Sequence, residues 1–163
     1  MKKLFLYLIT AIFAISLFTG CSVDLAENTD YSISSYDKHD ISAEALEYAE
    51  SVVEEYGVYT TPATVAAYLH TFNKLPSNCI TMKEAQQLGW DSKKGNLTDV
   101  APGMSIGGDR FGNYEEILPK KKKYTECDVN YESGYRGSER IVFSNDGDIY
   151  YTADHYETFT QLY

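Results

Sequence analysis

The stretch from residue 124 to residue 156, YTECDVNYESGYRGSERIVFSNDGDIYYTADHY, constrains the fold of this chain more than any other part of it. Polar and apolar side chains alternate from its first residues, so that Glu126 faces one side of a β-strand and Cys127 faces the other. Asn-Asp-Gly at 145–147 is typical of a hairpin turn, and the aromatic and β-branched run at 149–152 predicts the returning strand. The pattern therefore predicts an antiparallel meander with one apolar face and one polar face.

The polar face of this meander carries side chains that suit phosphate chemistry. Glu126, Arg136 and Arg140 belong to it, and His155 follows the third strand, where a loop can return it over the same face. A carboxylate can take a proton and an imidazole can give one, and guanidinium groups bind phosphoryl oxygens through planar pairs of hydrogen bonds. The alternative is a solvated sheet face with ordinary ion pairs, because such networks resemble active sites. The spacing alone leaves both interpretations open.

The net charge of −10 is spread unevenly along the 163 residues. Residues 22–57 contain one lysine against ten acidic residues, whereas residues 58–163 contain eleven lysines and arginines against fourteen acidic residues. The acidity therefore belongs mainly to a separate segment, and it does not exclude a nucleic acid as the partner of the remaining chain.

Residues 1–21 have the pattern of a signal peptide. Two lysines precede an apolar run at 4–18, which is shorter than the roughly 20 apolar residues of a membrane span. The sequence LFTGC at 17–21 resembles the bacterial lipoprotein box, which makes Cys21 a candidate for lipidation and for a membrane tether. The alternative is cleavage nearby followed by release. In both cases the sequence predicts an extracellular protein or one anchored on the outer face of a membrane.

Residues 22–57 are predicted to form an acidic tether or pro-segment that contains a helix at 41–56. Asp40 or Ser42 would cap this helix, and glutamates cover its outer face. The helix is either a solvated one, or its acidic face shields a basic cleft until the segment is removed or moves.

Residues 58–163 form the third part, a domain that begins with two helices. Thr61-Pro62 starts the first helix, and a capping box at 81–84 starts the second. The glycine-rich loop that follows lacks the Gly-Lys-Ser/Thr of a phosphate-binding P-loop. The basic run at 120–123 could steer a polyanion, although most such runs are solvated loops.

Two cysteines, Cys79 and Cys127, lie in this third part of the chain. In an exported protein two such residues favour a disulfide, and the alternative is two free thiols. No metal-ligand spacing is present, so neither a metal nor another cofactor is predicted.

From residue 61 to residue 163 the chain resembles the small bacterial guanyl-specific ribonucleases of the barnase and binase type. The resemblance is carried, in order, by VAAYLHTFNKLPSNCIT, EAQQLGW, SKKGNLTDVAPGMSIGGDRFGNYE, ECDVNY, SGYRGSERI and TADHYETFTQLY. It implies an α+β fold in which N-terminal helices pack on a twisted antiparallel β-sheet. It also implies a guanyl-preferring, metal-independent endoribonuclease. Such an enzyme cuts single-stranded RNA by attack of the 2′-hydroxyl, first to a 2′,3′-cyclic phosphate and then to a 3′-phosphate.

The resemblance implies a role for each position of the site. Glu126 matches the general base and His155 the general acid, while Arg136 and Arg140 match the pair that holds the scissile phosphate, oriented by Asp128. Further positions implied to bind the substrate or to lie near the site are Phe111, Gly112, Asn113, Tyr114, Glu115, Tyr156, Asp109, Ser138 and Tyr68. Among these, the loop at 111–115 would read guanine through backbone N–H groups and one carboxylate, with a tyrosine packed against the base.

Two positions depart from the family pattern. Met82 stands where the family usually has lysine, and Tyr114 stands where its best-known member has arginine. Both changes remove positive charge, so we expect a slower enzyme. An RNA- or guanine-binding module with weak turnover is therefore one alternative, and a ribonuclease toxin of interbacterial competition is another. The resemblance also implies a monomer and a small acidic inhibitor protein similar to barstar.

Overall fold

The computed structural model describes residues 37–163, so the predicted signal peptide and the lipidation candidate Cys21 lie outside the described residues. Four helices occur in this part of the chain: α1 (Ala43–Val52), α2 (Pro62–Phe72), α3 (Met82–Gln87) and α4 (Leu97–Val100). The strands are β1 (Cys79–Ile80), β2 (Ser105–Phe111), β3 (Tyr124–Asp128), β4 (Arg140–Ser144), β5 (Ile149–Thr152) and β6 (Thr160–Gln161). Among residues 37–163, no helix is long and apolar enough to span a membrane.

The six strands form one sheet whose order follows the chain from β1 to β6. β1 and β2 are parallel, and every other neighbouring pair is antiparallel. In this register Glu126 of β3 lies opposite Asp109 of β2 on one side and Val142 of β4 on the other. The predicted fold class, α+β with N-terminal helices packed on an antiparallel sheet, is confirmed.

Helix α2 begins where the sequence signals predict and covers the apolar face of the sheet. The side chain of Thr61 accepts a hydrogen bond from the backbone N–H of Thr64, and Pro62 occupies the first turn. The core between the helix and the sheet consists of buried side chains from both, namely Val65, Ala66, Leu69, Cys127, Val129, Ile141, Ile149 and Tyr151.

The face of the sheet opposite α2 is the polar face. Cys127 and Ile141 point toward α2, and their strand neighbours Glu126, Asp128 and Arg140 therefore point the other way. The alternation thus separates the core under α2 from the candidate catalytic side chains. The prediction of a polar face is correct only in part, because Tyr124, Val142 and Tyr150 on this face belong to a second buried apolar cluster.

Residues 37–57, which the sequence analysis interpreted as part of a tether, pack on the domain. Ser42 caps α1, which ends at Val52, four residues before the predicted end. Ala45 and Ala49 of α1 are buried against the alanines at 63 and 67 of α2. Since the other side of α2 covers the apolar face of the sheet, α1 does not lie over the polar face. The interpretation of this helix as a shield for the cleft is therefore wrong.

A second core cluster fixes the start of α3. Trp90 is 6% exposed and packs with buried apolar side chains of α3, α4 and β2. The capping box is present, because Thr81 and Glu84 each accept a backbone N–H of the other. Together these contacts place Met82 at the first position of α3, beside the sheet.

The two cysteines are free thiols in the structure, which is the second of the two alternatives left open by the sequence. Their strands, β1 and β3, are separated by β2. Gly107 of β2 has no side chain, so the two cysteine side chains approach each other across that strand. A hydrogen bond with the thiol of Cys79, together with burial, raises the pKa of Cys127 well above its ordinary value.

Candidate active site

A buried carboxylate between two arginines forms the centre of the polar face. Asp128 is 2% exposed and accepts two hydrogen bonds from Arg136, one from Nε and one from Nη2, both at 2.7 Å. The Nε atom of Arg140, also 2% exposed, lies 2.9 Å from the same carboxylate. Arg140 Nη1 donates to the backbone carbonyls of Gly137 and Glu139 at 2.8 and 2.7 Å. Both guanidinium groups are therefore held in fixed orientations.

Glu126 lies next to these arginines, but burial has the larger effect on its acidity. Desolvation raises the pKa of Glu126 above its ordinary value, and a hydrogen bond from the Tyr156 hydroxyl together with the charges of Arg136 and Arg140 opposes that rise. The charge of Asp128 adds to the rise, because it partly offsets the two cations that would keep Glu126 ionised.

Tyr156 joins the two predicted proton-transfer residues. Its hydroxyl is hydrogen-bonded to Glu126, while its ring centroid lies 4.6 Å from that of the His155 imidazole. Burial, followed by the charge of Glu126, raises the pKa of Tyr156 to about 12, so its hydroxyl keeps its proton at neutral pH. Glu126, the candidate base, and His155, the candidate acid, therefore both contact the side chain of Tyr156.

A strained turn presents His155 at the edge of the cleft. His155 and Tyr156 have φ values of 58° and 77°, in the left-handed region, which costs of the order of 1–3 kcal/mol for each non-glycine residue. The backbone N–H of His155 donates to the carbonyl of Ser138 at 3.2 Å. The N–H of Tyr156 donates to the hydroxyl of Thr152 at 3.0 Å. These bonds hold the turn in its unfavourable conformation.

Sequence reasoning missed the residue that closes this turn, Asp154. Its carboxylate accepts hydrogen bonds from the backbone and hydroxyl of Thr158 and from the hydroxyl of Thr152. The bonds from Thr158 lower the pKa of Asp154 to about 2. An aspartate four residues before a threonine in a loop is a signal that could have identified it, because Asp side chains favour turns that they can close by hydrogen bonds.

A cavity of about 400 Å³ lies beside the turn. Phe111 and Tyr156 supply aromatic surface, with ring centroids 5.1 Å apart and planes tilted by 32°. Glu115 supplies a carboxylate, and Ile117, which the sequence analysis did not single out, adds apolar surface. Glu157 adds a second carboxylate to the lining. Aromatic walls with carboxylates can hold a flat heterocycle that carries N–H donors.

Asn113 shapes the loop that forms one wall of this cavity. Its amide donates to the carbonyl of Leu118 at 3.0 Å and accepts the backbone N–H of the same residue at 3.1 Å. At Gly112 a side chain would lie within 2.1 Å of the ring of Tyr114, which covers the glycine. Tyr114 itself is 85% exposed and does not line the cavity, so the structure does not bring this predicted substrate-binding residue to the base site.

Three other residues implied to lie near the site have structural contacts. Asp109 accepts the backbone N–H of Met82 at 2.7 Å, and Ser138 donates its hydroxyl to the carbonyl of Ala153 at 2.6 Å. Tyr68 is buried in α2 and donates to the carbonyl of Glu55 on the side facing the N-terminal segment. The placement of Tyr68 near the site is therefore wrong, because α2 covers the opposite face of the sheet.

The position of Met82 bears directly on the arginine pair. Its sulfur lies 3.9 Å from Nη1 of Arg136, so a thioether occupies the space where the family usually has an ammonium group. The run at 120–123 is partly neutralised, because Lys120 pairs with Glu116 and Lys122 pairs with Asp148. Within residues 37–163, no group of three or more His, Cys, Asp or Glu side chains is placed to hold a metal ion.

Comparisons with known proteins identify ribonucleases as relatives of this chain. The model of the ribonuclease family matches residues 62–163. A ribonuclease of Bacillus intermedius is 48% identical over 114 residues, which cover 69% of this chain and 70% of the relative. A ribonuclease of Bacillus pumilus matches to the same extent. A ribonuclease of Heyndrickxia coagulans is 50% identical over 100 residues, which cover 60% of this chain and 92% of the relative.

The helices, the antiparallel sheet and the cleft with its carboxylate, arginines and histidine define the class of small α+β microbial ribonucleases. The chain belongs to the ribonuclease family, in the branch of the barnase and binase type.

Proposed function

We propose that this protein is a guanyl-preferring endoribonuclease that cleaves single-stranded RNA by transphosphorylation. The observation that carries the proposal is the position of Tyr156, which contacts both Glu126 and His155 at the border between the base cavity and the arginine pair. A base bound in the cavity would then present its own ribose and phosphate to a proton acceptor, a proton donor and two guanidinium groups.

In the first step Glu126 takes the proton of the ribose 2′-hydroxyl, and the 2′-oxygen attacks the adjacent phosphorus. The bond from phosphorus to the 5′-oxygen of the next nucleotide breaks, and His155 donates a proton to that leaving oxygen. The products are a 2′,3′-cyclic phosphate and a free 5′-hydroxyl. In the slower second step the roles reverse. His155 takes a proton from water, the water oxygen bonds to phosphorus, and the bond from phosphorus to the 2′-oxygen breaks while Glu126 returns its proton to that oxygen, which leaves a 3′-phosphate. DNA has no 2′-hydroxyl and cannot enter the first step.

The arginine pair supplies the electrostatic part of the mechanism. Charge accumulates on the phosphoryl oxygens in the transition state, and donors that are already oriented stabilise it without reorganisation. Arg136 keeps Nη1 outside its two bonds to Asp128, and this atom is directed toward Met82. A lysine at that position would add a third cation beside the two guanidinium groups, so the methionine favours slow turnover. It is also the observation that favours the alternative, a binding module with weak activity.

Guanine preference follows from the polarity of the cavity. Glu115 would accept hydrogen bonds from the ring N–H and the amino group of guanine, which adenine does not present in the same arrangement. Backbone N–H groups of the loop at 111–115 would donate to the guanine O6. Phe111 and Tyr156 would pack against the base.

The cellular setting of the activity is also part of the proposal. The signal pattern of residues 1–21 supports export, and Cys21 supports a lipid tether on the outer face of the membrane. We further propose that the protein is a monomer and that a small acidic inhibitor protein binds over the cleft. Such an inhibitor would accompany the enzyme if it serves as a toxin in interbacterial competition.

Digestion of a defined single-stranded RNA tests the proposal. The purified protein is incubated with an oligonucleotide that contains each base at several positions, and the ends of every fragment are mapped. We expect cuts on the 3′ side of guanosines. Cuts without base preference would contradict the guanine site, and an intact oligonucleotide would support the binding module.

A further inference from the structure

A segment of three residues connects the candidate acid to the arginine pair. We name Gly137–Glu139 the bridge segment. The carbonyls of Gly137 and Glu139 both accept from Arg140 Nη1, and the carbonyl of Ser138 accepts the backbone N–H of His155. Any displacement of the bridge segment would therefore move a phosphate-binding group and the candidate proton donor together.

The bridge segment is anchored by the side chain of Glu139. This carboxylate accepts hydrogen bonds from the amide of Asn130 and the hydroxyl of Tyr151, both at 2.7 Å. Its third partner is Nδ1 of His39, 3.0 Å from Oε1. His39 lies 100 residues earlier in the sequence, in the N-terminal segment that precedes the part matched by the ribonuclease family model.

The turn that carries His39 is itself well defined. We name residues 37–40 the N-terminal clamp. Asp37 accepts the backbone N–H of His39 at 3.0 Å, and Asp40 accepts the N–H of Ser42, so that the turn continues into the cap of α1. The carbonyl of Lys38 accepts from the amide of Asn130 at 3.0 Å, and the Lys38 ammonium pairs with Glu132 at 2.7 Å. The clamp thus contacts the loop at 130–139 at both ends, at Asn130 and at Glu139.

We propose that the N-terminal clamp positions the catalytic groups, with His39 acting through Glu139 on the bridge segment. The proposal rests on the proposed ribonuclease function for its rate measurements. It assigns the acidic N-terminal part an activating role, whereas the shield considered from the sequence would be inhibitory. Since His39 touches neither Arg140 nor His155, it is a positioning residue. Because an ionised carboxylate can only accept, the proposal assigns the proton of this contact to Nδ1 of His39, so another donor of similar length can replace it.

Substitution of His39 tests the proposal in the full protein. We expect His39→Ala to lower kcat on the defined RNA by roughly 3- to 10-fold, well below the roughly 100-fold that a misplacement of about 1 Å can cost. KM should change by less than about 2-fold, because the base cavity keeps its lining and base binding is therefore nearly the same. His39→Gln should restore most of kcat, because its amide can donate to Glu139.

A matched control is available in the same N-terminal segment. Glu55 pairs with Lys74 at 2.8 Å, and both side chains are about half exposed, but this contact ties the segment to the end of α2 and does not reach the bridge segment. Glu55→Gln should leave kcat unchanged. Thermal unfolding of all variants shows whether each is folded at the assay temperature.

Amide hydrogen exchange at His155 gives a readout that does not depend on activity. The clamp predicts that His39→Ala speeds exchange of this amide, which donates to Ser138, and that Glu55→Gln does not. Unchanged exchange and unchanged kcat in His39→Ala would overturn the proposal, as would an equal loss of kcat in Glu55→Gln. If the wild-type protein does not cleave RNA, the proposed function fails, while the exchange rates still decide whether the clamp acts on the bridge segment.

Discussion

The cleft has two halves that differ in how firmly their side chains are held. The phosphate half consists of Asp128, Arg136 and Arg140, and its central carboxylate and one guanidinium are each only 2% exposed. The base half consists of the loop at 112–117 and the cavity beside it, where Tyr114 is 85% exposed and Ile117 is 51% exposed. In the phosphate half Asp128 and Arg140 lie opposite each other on paired strands and hold the loop residue Arg136, whereas the base half is a loop closed by the side chain of Asn113.

This difference indicates that the phosphate half controls the rate of turnover and the base half controls which base is recognised. Buried, ion-paired guanidinium groups cannot rearrange when a substrate arrives, so they provide the preorganised charge that stabilises a transition state. An exposed loop tolerates substitution with little loss of stability. We therefore expect changes in the phosphate half and its proton-transfer residues to alter turnover or folding, and changes in the base half to alter which base is recognised.

The largest effect is expected for the proton-transfer residues. Glu126→Ala or His155→Ala should lower kcat on RNA by about 10²- to 10⁴-fold, because each removes one proton transfer from the mechanism. Initial rates on the defined RNA measure the loss. Glu55→Gln, which removes a carboxylate outside the cleft, serves as the control. Wild-type activity in either alanine variant would show that the roles are wrongly assigned.

The next effect concerns the stability of the phosphate half. Asp128→Asn leaves two arginines beside a neutral group, and breaking a buried ion pair costs about 3–5 kcal/mol. Urea denaturation should show a loss of this size in the free energy of unfolding. Glu115→Gln in the base half should cost less than about 1 kcal/mol, as surface substitutions usually do. Equal stability of the two variants would remove the contrast between the halves.

Glu115→Gln should instead affect base selectivity. The amide cannot accept two hydrogen bonds from guanine as a carboxylate does, and hydrogen bonds to charged groups contribute about 1.5–3 kcal/mol, or roughly 10- to 100-fold. The ratio of kcat/KM for cleavage after guanosine and after adenosine should fall by this factor. The rate after adenosine itself should stay near that of the wild type. A fall of both rates in parallel would show that Glu115 contributes to chemistry and not to selectivity.

Tyr156→Phe should shift the pH dependence without abolishing activity. Glu126 must be ionised to take a proton, so the rate of the first step rises with pH through its pKa. The Tyr156 hydroxyl lowers that pKa, and its removal lets burial raise it further. The acidic limb of kcat/KM should therefore move to higher pH, as measured on a dinucleotide over a pH series. An unchanged limb, or one at lower pH, would contradict the hydrogen bond as the cause.

The smallest effect is expected for Met82→Lys. The new ammonium group would add positive charge to the phosphate half, but Arg136 lies next to it and its charge disfavours a second cation there. We expect a gain of several-fold in kcat, well below the roughly 100-fold that a preorganised donor can supply. An unchanged or reduced rate would show that the methionine does not limit turnover.

The strand-borne part of the site could be predicted from the sequence because a period of two fixes the face of every side chain. Once Cys127 is assigned to the core, Glu126 and Asp128 must lie on the opposite face. Arg140 on β4 follows from the same rule. Arg136 lies in the loop between β3 and β4, where the rule does not apply, and only the chemistry of phosphate binding pointed to it.

The rest of the site could not be predicted from the sequence, because it depends on how deeply side chains are buried and on contacts between segments that are distant in the sequence. The rise in the pKa of Glu126 comes from burial, which a sequence pattern does not measure. The packing of α1 on α2 had a signal in the alanines of PATVAAYLHTF, since small side chains on the outer side of a helix allow another helix to approach. The contact between His39 and Glu139 joins residues 100 positions apart and had no local signal.

The chemistry at the 2′-hydroxyl is the central claim, and a pair of matched dinucleotides tests it most directly. Guanylyl-adenosine and its analogue with 2′-deoxyguanosine are incubated with the protein, and the products are followed by phosphorus NMR. We predict that the ribose form gives guanosine 2′,3′-cyclic phosphate before any 3′-phosphate, and that the deoxy form stays intact. Cleavage of the deoxy form, or a product with a 5′-phosphate, would contradict the account.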